Sequence, residues 1–261
     1  MAEIKDNDNI LEITDNFAIG CLTFVGDREE QQDSINYAVN NSIGLFVVAD
    51  GMGGKDNGKF ASACVVNTFI DRFNTDELLN NPFDFLKNTV QAANDLVKKS
   101  NEDVDAGSTL VAVLIIDKQL FWCSVGDSRA YLMRNGEFVQ FTQDHNYLTV
   151  LNNLLETGAL TKEKYDLELE KSEALISFVG IDDLELIDFN DKPFELIKGD
   201  IIVLMTDGLY RVLSEETISG IINNFNNMED SLSVLKQKEI RTAKKQSMQM
   251  DNTTVIIIKI M

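Results

Sequence analysis

Residues 108–141 read STLVAVLIIDKQLFWCSVGDSRAYLMRNGEFVQF, and this stretch decides the fold class. Two buried-type runs, 108–116 and 119–125, flank Asp117-Lys118; two shorter ones, 130–133 and 138–141, flank Asn135-Gly136. Asn-Gly favours the positive-φ backbone of a two-residue hairpin, so consecutive strands joined by tight turns are expected. Upstream, 17–24, 35–39 and 44–48 are further β-branched and aromatic runs separated by polar joints. Between them the period changes. Ala61, Cys64/Val65, Thr68/Phe69 and Arg72/Phe73 recur at helical spacing over 59–73. Pro82 opens a second helix to about Asn101, with Phe85, Leu86, Val90, Ala93 and Val97 on one face. Downstream, strands are expected at 194–197, 201–205 and 254–260, and helices at 214–224 and about 230–245. Strands grouped in hairpins, rather than alternating with helices, exclude a doubly wound parallel sheet. The expectation is an α+β fold of antiparallel sheets with helices on their outer faces. Residues 144–186 are more polar, helical around 147–156 with a turn at Gly158, and read as a flap inserted on one domain spanning 1–261.

Composition removes several functions. Lys+Arg is 23 and Asp+Glu is 43, a net charge of −20. That balance opposes nucleic-acid binding and docking on an anionic membrane, and it supplies carboxylates for hard cations. His145 is the single histidine, so no histidine-based zinc cage is available. Cys21, Cys64 and Cys123 sit in apolar runs without C-x-x-C spacing and read as free core thiols of a reducing compartment. Met1–Asp6 lacks the basic-then-apolar pattern of a signal peptide, and no apolar run approaches the ~20 residues of a membrane span, so a cytoplasmic protein is expected.

Chemistry points to the aspartates. Asp50 follows Leu45-Phe46-Val47-Val48, Asp127 follows Trp122-Cys123-Ser124-Val125-Gly126, Asp207 follows Ile201–Met205, and Asp251 precedes the final strand. Each lies at an end of a buried strand. A carboxylate at the edge of a core is costly unless paired, hydrogen-bonded or metal-bound, and oxygen-only donors select Mg2+ or Mn2+ over zinc. The bland reading of any one of them is a turn former or a helix cap. Gly53-Gly54-Lys55-Asp56-Asn57-Gly58-Lys59 imitates a phosphate-binding P-loop, but Phe60 stands where that loop needs Ser or Thr for Mg2+. The glycines instead read as backbone turning sharply beside Asp50, freeing the Gly51 carbonyl to face an ion.

Asp50-Gly51-Met52-Gly53-Gly54, Gly107-Ser108-Thr109-Leu110, Gly126-Asp127-Ser128-Arg129, Thr206-Asp207-Gly208-Leu209 and Asp251-Asn252-Thr253-Thr254 occur in one order, preceded by Arg28 and Asp33. This ordered set resembles the metal-dependent protein serine/threonine phosphatases of the PP2C (PPM) type, in their bacterial form, from about residue 17 to 260. The resemblance implies a sandwich of two antiparallel β-sheets flanked by α-helices, and hydrolysis of phosphoserine and phosphothreonine in proteins at a centre of two Mn2+ or Mg2+ ions. Carried onto this chain, it implies metal ligation by Asp33, Asp50, the Gly51 carbonyl, Asp207 and Asp251, with Asp50 bridging. Asp127 with Asp207 matches the place of a third, weaker ion, and Arg28 would clamp the substrate phosphate. Expected partners are phosphorylated proteins and an opposing serine/threonine kinase, and a monomer is expected. Arg129 and His145 read as structural. Two departures stand out: Met52 replaces the histidine that many members carry, and no arginine occurs between Arg134 and Arg211, where the flap ends. The altered flap motivates an alternative from another class, a pseudophosphatase binding phosphoproteins without turnover.

Overall fold

The computed structural model describes residues 9–54, 56–73, 76–100, 106–224 and 227–261. Met1–Asp6, Lys55 and the expected helix end at Asn101 lie outside them. The N-terminal half runs β1 (Asn9–Ile13), β2 (Phe17–Phe24), β3 (Asp33–Asn40), β4 (Ile43–Gly53), α1 (Asn57–Arg72), α2 (Asp76–Asn80) and α3 (Pro82–Ser100). Next come β5 (Ala106–Ser108), β6 (Leu110–Ile116), β7 (Gln119–Val125), β8 (Arg129–Arg134) and β9 (Glu137–Gln140). Between β9 and the next strand lie α4 (Tyr147–Glu156), α5 (Lys162–Glu168) and a 3-10 turn, Leu169–Lys171. The chain closes with β10 (Asp188–Phe189), β11 (Phe194–Glu195), β12 (Ile201–Met205), α6 (Asp207–Val212), α7 (Glu215–Asn224), α8 (Met228–Gln246) and β13 (Thr253–Ile260).

One sheet has the order β1-β2-β13-β12-β8-β9, the other β10-β7-β6-β4-β3, with β11 on β7 and β5 on β4. Every ladder is antiparallel, as the hairpin-rich sequence predicts. Both hairpin turns take the expected backbone: φ is 48° and 66° at Asp117 and Lys118, and 54° and 85° at Asn135 and Gly136. Positive φ at both central residues matches the right-handed twist of the flanking strands.

Side-chain parity then builds the layers. Phe46 and Val48 of β4, Val111, Val113 and Ile115 of β6, Ile202 and Leu204 of β12, and Ile256 and Ile258 of β13 form the core between the sheets. Their neighbours Leu45, Val47 and Ala49 face α1 and α3, while Val203, Val255 and Ile257 face α6, α7 and α8. Strands buried on both faces explain why their sequences are continuous apolar runs rather than alternating ones.

The structure amends the sequence reading in places. β4 does not stop at Val48 but continues to Gly53, because β5 pairs with it at Gly51, Met52 and Gly53. Asp50 therefore sits inside a strand, and Asp207 is the first residue of a helix. The expected strand at 194–197 shrinks to Phe194–Glu195, and β1, β10, α2, α5 and α6 were not anticipated. The cysteines are unpaired, with Cys21 and Cys123 buried but Cys64 only half-buried.

Candidate active site

The parity that builds the intersheet core also aims the carboxylates. Ile35, Phe46 and Val48 point between the sheets, and two residues further along each strand stand Asp33 and Asp50. They are direct partners in the β3–β4 ladder. Thr23, Thr206 and Thr254 continue the inward rows of β2, β12 and β13, so a layer of hydroxyls separates the apolar core from the acids. Thr206 Oγ1 donates to Asp33 Oδ2 at 2.9 Å, and the Thr23 and Thr254 hydroxyls lie 3.0 Å apart. Thr254 N donates to Thr206 Oγ1 at 3.0 Å.

Above this layer opens a cavity of about 780 Å³ lined in part by Arg28, Asp50, Gly51, Asp127, Asp207 and Asp251, with Asp33 buried beneath it. All the site residues expected from sequence therefore converge at one end of the sandwich. Gly51 is fixed by space: a Cβ there would run into the carbonyls of Gly58 and Gln32. Gly208 is hemmed in the same way by the Asn252 carbonyl, which lets α6 start against β13.

Arg28 is carried on the loop between β2 and β3, and Asn252 holds that loop. The Asn252 Oδ1 accepts from Gln32 N at 2.7 Å, and its Nδ2 donates to the Val25 and Glu30 carbonyls at 2.9 and 3.0 Å. The Arg28 Nη2 lies 2.6 Å from Asp251 Oδ2.

The electrostatics are those of acids pressed together. Burial, above all, raises the Asp33 carboxyl to about 7; Asp207 and Asp251 add to the rise while Thr254 and Thr206 oppose it. Burial and then the charges of Asp33, Asp207, Asp127 and Asp251 push Asp50 well above the usual carboxylate range. Asp127 is raised to about 7 by burial and Asp207, and Asp207 is raised by burial against the pull of Arg211. Asp33 Oδ1 and Asp207 Oδ1 are buried with no hydrogen-bond partner. Orphaned carboxylate oxygens facing like charges are the donor set a hard divalent cation satisfies. Among the described residues no three acidic, histidine or cysteine side chains are closed into a ready-made single-ion cage.

Other residues fall where the sequence placed them. Arg129 donates to both Asp144 oxygens and stacks 3.7 Å over the Tyr210 ring. His145 is buried, its Nδ1 accepting from Gly126 N at 3.2 Å, and burial lowers its pKa. Lys59 lies exposed on the first turn of α1 and does not line the cavity. Sequence reasoning missed Asn252 as the clamp of the Arg28 loop, Thr206 as the partner of Asp33, and Arg211.

Residues 14–148 match the protein phosphatase 2C family. The chain belongs to the protein phosphatase 2C family. Protein phosphatase PhpP of Streptococcus pneumoniae is 30% identical over 213 residues, covering 79% of this chain and 84% of PhpP. The solved serine/threonine phosphatase of S. agalactiae is 27% identical with a TM-score of 0.81, covering 94% of this chain and all (100%) of that one. The catalytic domain of the serine threonine protein phosphatase PstP, solved in complex with 2 manganese ions, is 25% identical with a TM-score of 0.72, covering 94% of this chain and 98% of that one. The family is one of metal-dependent protein serine/threonine phosphatases, and the two-sheet sandwich is the family fold.

Proposed function

We propose that this chain, one phosphatase unit over 1–261 with its flap at 144–186, releases phosphate from phosphoserine and phosphothreonine in proteins using two Mn2+ or Mg2+ ions. Asp33, Asp50, the Gly51 carbonyl, Asp207 and Asp251 would hold them, Asp50 between the two. The observation that supports this most is the convergence of acids from separate segments onto one cavity, with buried oxygens of Asp33 and Asp207 lacking any partner. When bound, such ions lower the pKa of water and neutralise phosphoryl charge.

The chain's own residues do the rest. Arg28 presents a planar fork of donors at the cavity, matched to two phosphate oxygens. Asn252 fixes the loop that carries it, so the backbone position of Arg28 is set before substrate arrives. None of the three cysteines lines the cavity: Cys21 and Cys123 are buried in the sandwich, half-buried Cys64 packs from α1 against the core, and burial pushes all three thiols up. Met52 lines the cavity but carries no titratable proton, and His145 is buried and is not among the residues lining it, so water would supply the leaving oxygen's proton.

Phosphorylated proteins are the substrates, an opposing serine/threonine kinase supplies them, and the chain works as a cytoplasmic monomer. No helix among the described residues is long and apolar enough to cross a membrane. The test is phosphate release from a phosphothreonine peptide by pure protein. Release at millimolar Mn2+, lost on chelation, is expected. Peptide binding without release would make the chain a pseudophosphatase.

A further inference from the structure

Arg211 lies on α6, one turn after Asp207, and three carboxylates surround it, one from its own helix and two from distant segments. Its Nη2 is 2.9 Å from Asp207 Oδ2 and 3.7 Å from Asp127 Oδ2, and its Nη1 is 3.2 Å from Glu173 Oε2. Asp207 follows β12, Asp127 follows β7, and Glu173 belongs to the flap. Asp127 and Asp207 are almost fully buried, while the Arg211 side chain is one-third exposed and lines the cavity. Asp207 thus divides its oxygens: Oδ2 faces Arg211, and Oδ1 is left buried without a partner.

We propose that Arg211 is a built-in cation of this centre, filling the place between Asp127 and Asp207 that a third metal ion would take and latching the flap through Glu173. The proposal rests on the two-ion reading above. A guanidinium and a divalent cation cannot occupy the same oxygens, because the fork already sits within ion-pair distance of both carboxylates. The free Oδ1 of Asp207 keeps that residue available to the core pair while Oδ2 is engaged by the arginine. The same contact gives the flap a charged anchor at Glu173, in a segment with no arginine of its own between Arg134 and Arg211. Arg211 is a positioning residue: it acts on the centre through Asp207 and on the flap through Glu173.

The test counts bound Mn2+ by native mass spectrometry and titration calorimetry for the wild type, Asp127→Asn, Arg211→Gln and Arg211→Gln/Asp127→Asn, each checked for a native circular-dichroism spectrum. Two ions are expected in the wild type, three in Arg211→Gln, and two again in the double variant, whose third site has lost its carboxylate. Amide exchange of 172–176 should quicken severalfold in both Arg211→Gln and Glu173→Gln; Glu173 is exposed, so the second variant folds without difficulty. Two ions in Arg211→Gln with unchanged flap exchange would overturn the proposal, as would a third wild-type ion that Asp127→Asn removes. A wild type that binds none sinks the two-ion reading itself, and this proposal with it.

Discussion

Asp33 and Asp50 face each other across the β3–β4 ladder, and strand parity turns both into the space between the sheets. Two carboxylates directly opposite destabilise a ladder unless something neutralises them. Asp50→Asn should therefore raise the melting temperature of the metal-free protein at pH 8, yet abolish the rise that Mn2+ gives the wild type. That wild-type rise is about 3 kcal/mol at a hundredfold excess over Kd, or roughly 6–12 °C for a chain of this size. Differential scanning fluorimetry with and without Mn2+ checks both halves.

The metal-free protein should lose stability as pH rises from about 4 to about 7. Asp33 and Asp127 titrate near 7 when folded but near 3.8 when unfolded, so the folded state binds more protons across that window. Stability falls wherever the folded state is the better proton binder, and the full cost is reached above the folded value. Urea titrations of chelated protein at pH 5 and 8 measure it. A higher midpoint at pH 8 would contradict the assignment, and added Mn2+ should flatten the difference.

Glu239 is a second source of pH dependence, to which the Asp33 charge adds a little. The buried stripe of α8 runs Leu232, Leu235, Glu239, Ala243, so a carboxyl occupies an apolar position. Thr253 Oγ1 donates to its Oε1 at 2.7 Å, but Oε2 has no partner. Burial raises it to about 8, so its cost grows from about pH 4.5 to pH 8 by roughly 1.4 kcal/mol per unit. Glu239→Gln should remove that slope while keeping the Thr253 contact. Glu239→Leu should stabilise the protein at pH 8 by about 2 kcal/mol or more. Chemical denaturation against pH reads both.

If Arg28 clamps the substrate phosphate as proposed, it exchanges its Asp251 partner, 2.6 Å away, for that phosphate. A charge-assisted contact of this kind contributes about 1.5–3 kcal/mol, so Arg28→Ala should lower kcat/KM for a phosphopeptide by roughly 10- to 150-fold. Arg28→Lys should recover only part, because a point charge lacks the two-pronged fit. Equal kinetics for all three proteins would remove Arg28 from the phosphate site.

Much of this molecule can be read along the chain, and the reasons for what cannot are physical. Asn135-Gly136 and Pro82 announce a turn and a helix start through backbone geometry that few other residues allow, and 201–205 is bounded sharply because both its faces are buried. α6, six residues long, gives a helical period too few positions to show, so Asp207 reads as a strand end. β4 outlasts its apolar run because its last residues are held by β5 rather than by a core. The acids are legible because Asp50, Asp127 and Asp207 stand after apolar runs and Asp251 stands just before one, in motifs of fixed order. Arg211 was not, since its three partners lie 4, 38 and 84 positions away in sequence. Glu239 carried a usable signal, an acid at i+4 from Leu235 and i−4 from Ala243 on one face.

The most direct test of the central claim is anomalous diffraction from crystals grown with Mn2+. Two peaks are predicted at the end of the sandwich, one on each side of Asp50, contacted by Asp33, Asp207 and Asp251, and both should vanish in Asp207→Asn crystals or fall to one. An empty cavity in the wild type, with those carboxylates turned away from one another, would contradict the account.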